Sequence, residues 1–205
     1  MKRILLGAAA VAAVMALSAC NPKDNTGAAG SVSDTPGQAG PVNAAQDAMS
    51  GPVGAVSAAT IGANTTDGFV TAAAIGDMYE IEAGKLAQQM GKSDAVKKFG
   101  AMMVKDHTAT SEKLKATLAT AGVTAKPPTL LDERRQGLID NLRAAGANFD
   151  KVYGQQQETA HEEMLTLMKG YADNGDNTAL KALAGATAPK VQMHLDMAKK
   201  LDDAT

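Results

Sequence analysis

Tryptophan is absent from this chain, and three tyrosines with three phenylalanines make up its whole aromatic content, 3%. Sheet cores are commonly built on aromatic and β-branched side chains, so the shortage favours helices packed through Ala, Leu and Met. Nucleic acid is excluded as a partner, because 20 Lys and Arg stand against 22 Asp and Glu and stacking groups are scarce. With one cysteine, Cys20, no intramolecular disulfide can form. No Gly-x-Ser-x-Gly elbow and no Gly-rich phosphate loop ahead of a helix occurs, which removes the common hydrolase and nucleotide-binding patterns. The apolar run from Ile4 to Leu17 is too short for an ordinary membrane span, which needs roughly 20 residues.

What is present begins with an address. Met1, Lys2 and Arg3 precede that apolar run, and Ser18, Ala19 and Cys20 follow it. A basic start, an apolar stretch and a small-residue cleavage site make a secretory signal. Leu17-Ser18-Ala19-Cys20 resembles the bacterial lipobox, whose cysteine is diacylated and becomes the first mature residue. Lipidation gives the odd cysteine of an exported chain a role, and several acyl chains anchor more firmly than one. Asn21 in place of aspartate after Cys20 favours the outer membrane, facing the periplasm. Residues 1–19 are expected to be a lipoprotein signal peptide. Residues 20–64 are expected to be a flexible lipid-anchored tether, because their Gly, Ala, Ser, Pro and Asn form no periodic apolar stripe.

Residues 65–203 carry helical periodicity. Thr65, Thr66 and Asp67 can each cap a first helix, whose apolar face includes Phe69, Ile75, Tyr79, Ala83 and Ala87. Gly91 stands where a left-handed C-terminal residue belongs. Ser93 caps a second helix with Val96, Phe99, Met103, Leu114 and Leu118 on its stripe, and Gly122 with Pro127-Pro128 ends it. A short run through Leu138, Ile139 and Leu142 stops at Gly146. A long helix follows from Asn148 to Asn174-Gly175, and a last one from about Asn177 to Asp202. Pro189 predicts a kink or a break near Ala188. The expected fold is all-α, a four-helix bundle with an extra short helix in the crossover.

The strings EIEAGKLAQQ and VKKFGAMMVKDHTATSEKL, with Ala160-His161-Glu162 and His194-Leu195 followed by Ala198 and Leu201, resemble domain-of-unknown-function family 4142. Its members are bacterial proteins often labelled predicted outer-membrane proteins. The resemblance covers about Phe69 to Leu201, and Asp106-His107 after two methionines is its most specific part. It implies a ferritin-like helical bundle in an exported protein and lends no chemistry. A membrane barrel is not implied, because the chain reads as helical and only a closed barrel or an apolar helix spans lipid.

Any chemistry must come from the polar residues on or beside the apolar faces: Glu80, Glu82, Asp106, His107, His161 and His194. Ferritin-like di-iron centres take a Glu from each of two helices and a Glu-x-x-His motif from each of the other two. One such motif occurs, Glu158 to His161; Val104 and Val191 hold the corresponding positions before His107 and His194. Met103, Met164 and Met197 each lie one helical turn from a histidine, and thioether with imidazole suits Cu(I). The structural alternative is an internal network in which every buried histidine meets a carboxylate or carbonyl. There, Glu80 or Glu82 would pair with His107, although helix rise sets His107 level with Ile75. The resulting reading is a lipid-anchored binding or envelope-stress component and not an enzyme. Its partners would be the membrane through Cys20 and an envelope protein or a second copy. The alternative is a transition-metal (Cu or Fe) binding bundle in the periplasm, a metal being the one cofactor these residues suggest.

Overall fold

A computed structural model describes residues 64–204; the expected signal peptide, Cys20 and the tether as far as residue 63 lie outside the described residues. The described residues are all-helical: α1 Thr66–Met90, α2 Asp94–Thr120, α3 Glu133–Ala144, a 3-10 turn Gly146–Asn148, α4 Phe149–Asn174 and α5 Thr178–Asp202. The main pairings are α1 with α2 and α4 with α5; these two hairpins pack on each other, and α3 contacts both α1 and α4. None of these helices is long and apolar enough to cross a membrane.

Local chemistry sets the ends. The Thr65 hydroxyl accepts from the Gly68 amide, Ser93 from Val96, Asp132 from Arg135 and Asn177 from Ala179 and Leu180. Each such cap is worth about 1 kcal/mol. Asp150, in the first turn of α4, accepts the Lys92 and Ser93 amides at 2.7 and 2.8 Å and so pins the α1–α2 turn. Gly91 is not left-handed, as its position suggested; its φ is −54°. Glycine is there for space, since a Cβ would sit 2.4 Å from the Ala87 carbonyl oxygen. Gly122 and Gly146 are left-handed, φ 64° and 54°; after Gly122 the Val123 amide donates back to the Leu118 carbonyl at 2.9 Å, closing a Schellman motif. Helix α5 runs through Pro189 without a break. Buried Ala184, Ala188 and Val191 on either side hold the helix to the core and offset the roughly 3 kcal/mol cost of an interior proline.

Two glycines fix the register of the first hairpin. A Cβ on Gly84 would meet the Gly100 carbonyl oxygen at 2.6 Å, and one on Gly100 would meet the Gly84 carbonyl oxygen at 2.7 Å. The backbones therefore touch there. In an antiparallel pair, residues equally far from the touching point share a height, and Asp77 and His107 each lie seven positions from it. His107 is thus level with Asp77, two residues along from the expected Ile75.

The apolar interior forms two clusters. One holds Phe69, Leu114, Met168, Tyr171, Leu180 and Val191; the other holds Tyr79, Phe99, Met103, Ile139, Tyr153 and Leu201. Along α1, α2 and α4 the changeover between them falls at Asp77, His107 and His161, and along α5 it falls just past His194, between Leu195 and Ala198. Asp77 and the three histidines are buried, at 1–3% exposure, so a polar layer crosses the middle of the core.

Candidate metal centre

Each long helix gives this layer at least one side chain: Asp77 and Glu80 from α1, Asp106 and His107 from α2, His161 from α4 and His194 from α5. The three imidazoles converge. Ring centroids are 5.7 Å apart for His107–His161, 5.6 Å for His107–His194 and 5.4 Å for His161–His194. One nitrogen from each lies within 4.8 Å of the other two.

The outer nitrogen of every ring is held. His107 Nδ1–H donates to Asp77 Oδ1 at 2.8 Å, and Ser111 donates to the other oxygen of that carboxylate at 3.1 Å. His161 Nδ1–H donates to the Gln157 carbonyl at 2.7 Å. His194 Nε2–H donates to Asp106 Oδ2 at 3.0 Å, and Lys190 pairs with the second Asp106 oxygen at 3.1 Å. The inner nitrogens, His107 Nε2, His161 Nε2 and His194 Nδ1, are buried without a hydrogen-bond partner.

Protonation follows from these partners. Burial and the neighbouring His107 hold His161 down to about 3, and burial with His161 beside it holds His194 down to about 4. Both rings are neutral at physiological pH. Carbonyl and carboxylate acceptors fix the proton on the outer nitrogen, so the inner one presents a lone pair. Burial also works downward on His107, but the Asp77 hydrogen bond and the charges of Glu80, Asp77 and Asp106 outweigh it and raise that ring. Burial pushes the Asp77 and Glu80 carboxyls up. Burial works upward on Asp106 too, but Lys190 and His194 hold it low.

Of the residues the sequence singled out, Asp106, His107, His161 and His194 come together, with Glu80 alongside: its Oε1 is 3.9 Å from His161 Nδ1 and its Oε2 has no partner. Glu82 does not join them; it pairs with Arg143 at 2.6 Å across to α3. Met197 is 38% exposed on the outside of α5. Met103 is buried in the Phe99 cluster, and Met164 lines a pocket with His107 and His194. Glu158 is partly exposed and pairs with Lys199, so the one Glu-x-x-His motif does not place its carboxylate in the layer.

Two features escaped the sequence reading. Asp77 is the carboxylate on His107, and its signal was the stripe Ala73, Asp77, Glu80, Gly84, Ala87, spaced 4, 3, 4, 3 along one face of α1. Arg134 and Arg135 of α3 both bind Glu163 of α4, at 2.8 and 2.7 Å, with the Arg135 guanidinium 4.8 Å from the Tyr79 ring centroid. This buried ion group lies close enough to favour the Glu80 anion.

Three converging rings with tethered outer nitrogens, two of them neutral with a free inner lone pair and the raised His107 freeing its own on losing a proton, can bind a transition metal, and the carboxylate-to-histidine links are the usual means of aiming such ligands. No curated protein and no solved structure matches the chain. A family model matches residues 51–201, which take in almost the whole described helical region, and the chain belongs to that family, described as a domain of unknown function, DUF4142.

Proposed function

We propose that this protein is a transition-metal-binding lipoprotein of the cell envelope, a ferritin-like four-helix bundle that holds one ion on His107, His161 and His194. The observation that carries the reading is the set of three unpartnered inner nitrogens on converging rings. A ligand shared by all three would satisfy them at once, and a buried donor or acceptor without a partner costs about 1–3 kcal/mol. The di-iron alternative is disfavoured by Glu158, whose carboxylate stays outside the layer. Binding, and not catalysis, is the role assigned.

The test is metal analysis of the purified protein together with titration of Co(II), Zn(II) and Cu(I). One ion per chain, lost in His161→Ala, is expected; binding no tighter than about millimolar in the wild type removes the proposal. The anchor belongs to the same reading and rests on Leu17-Ser18-Ala19-Cys20. Cys20→Ala should leave the membrane fraction, and a variant that still partitions with detergent would refute lipidation.

A further inference from the structure

A narrow pocket enters between α2 and α5 and ends on the histidine layer. Its walls carry His107 and His194, and α4 adds the thioethers of Met164 and Met168. Met164 follows His161 by three positions, so both side chains leave the same face of α4. Space for it comes from Gly76 on α1, where a Cβ would overlap the Met164 methyl at 2.2 Å. Methionine is the most adaptable of the long apolar side chains, with three rotatable bonds. Its side chain therefore lines the same pocket as His107 and His194 and has the flexibility to turn its sulfur toward them.

Charge points the same way. Lys190 balances Asp106. The Arg134, Arg135 and Glu163 group carries one net positive charge near Glu80. Asp77 is then the remaining anion facing the rings, enough to neutralise one positive charge. Burying an ion costs in proportion to the square of its charge, so a matched monovalent ion is favoured over a dication.

We infer that Met164 supplies a thioether as the fourth donor, so that the centre selects Cu(I), or its redox-inert analogue Ag(I), over Zn(II) and Co(II), with the Met168-lined pocket as the way in. Neutral imidazole and thioether are the donors that a soft monovalent ion takes. The inference rests on the three-histidine reading.

Full-length protein in detergent, wild type and Met164→Leu, is titrated with Cu(I) under reductant and with Co(II), and the Cu(I) form is examined by X-ray absorption. The expected result is a sulfur shell near roughly 2.3 Å in the wild type. Met164→Leu should lose that shell and at least about tenfold in Cu(I) affinity, while Co(II) affinity stays within about threefold. Met168→Leu should keep the shell and bind Cu(I) more slowly. A wild-type spectrum without sulfur, unchanged Cu(I) affinity in Met164→Leu, or equal losses for both ions overturns the assignment while the three-histidine site stands. If the wild type binds neither ion, both readings fall. The wild-type spectrum decides even if the variant folds poorly.

Discussion

Replacing Asp77 by Asn changes one charge and little else. The amide oxygen can still accept from His107 Nδ1–H, now 2.8 Å away, and the amide nitrogen can face Ser111. An ion on His107 Nε2 would lie about 6 Å from the carboxylate, allowing for the ring and a metal–nitrogen bond of ~2.0 Å. At an effective dielectric constant of about 20, that separation gives about 3 kcal/mol for a monovalent ion and about 6 kcal/mol for a divalent one. The substitution also eases proton competition at His107, which Asp77 helps to keep raised. That relief is common to both ions and cancels in their ratio. Asp77→Asn should therefore shift selectivity toward the monovalent ion by about 3 kcal/mol, on the order of 100-fold. Competition titrations of Co(II) and Ag(I) at pH 6, with thermal melting to confirm the fold, measure it. A ratio unchanged within about threefold would refute the coupling between Asp77 and the centre.

The His161 ring, held down to about 3 in the fold against 6.5 when exposed, takes up its proton only on unfolding across that window. The unfolded state binds more protons there, so wild type should gain on His161→Leu by up to about 1.4 kcal/mol per pH unit from pH 4 to 6.5 and stay level above. Paired urea titrations at pH 4.5, 5.5, 6.5 and 7.5 test this, and a flat difference counts against it. Gly100→Ala drives a methyl against Ala87 and the Gly84 carbonyl and should cost about 1–3 kcal/mol. Gly137→Ala, with nothing within 4 Å in the interior of α3, should stabilise by about 0.5–1 kcal/mol. Equal effects of the two in denaturant melts would sink the close-approach argument. Glu163→Ala leaves Arg135 buried without its carboxylate and should cost about 3–5 kcal/mol in the same assay.

Helix limits were legible because they are local. Thr65, Ser93 and Asn177 cap where their side chains allow, and apolar residues recur at helical spacing. The use of Gly91 and the role of Asp77 were hidden for one cause, since both depend on what a neighbouring helix does. Gly91 looks like a left-handed cap by position, yet contacts with Ala87 and Val96 decide its use. Asp77 shares its stripe with small residues, but the Gly84–Gly100 contact sets the register that brings it to His107. Glu82, two residues after Glu80, is turned by about 200° around α1, which suffices to send it to Arg143 and solvent. The three histidines were each visible as polar residues on apolar faces. That they meet depends on the heights of α2, α4 and α5 at once, which no single periodicity contains.

The changeover of the core at the histidine layer also bears on how the molecule moves. A seam of polar groups holds the two apolar halves together less firmly than either half holds itself. An ion bound across α2, α4 and α5 would act as a rivet at that seam, tying three of the four long helices at their midpoints. Ligand binding and global rigidity then become one quantity. Amide exchange should slow on loading across the whole domain, and most of all in the turns that carry Asp77, His107, His161 and His194.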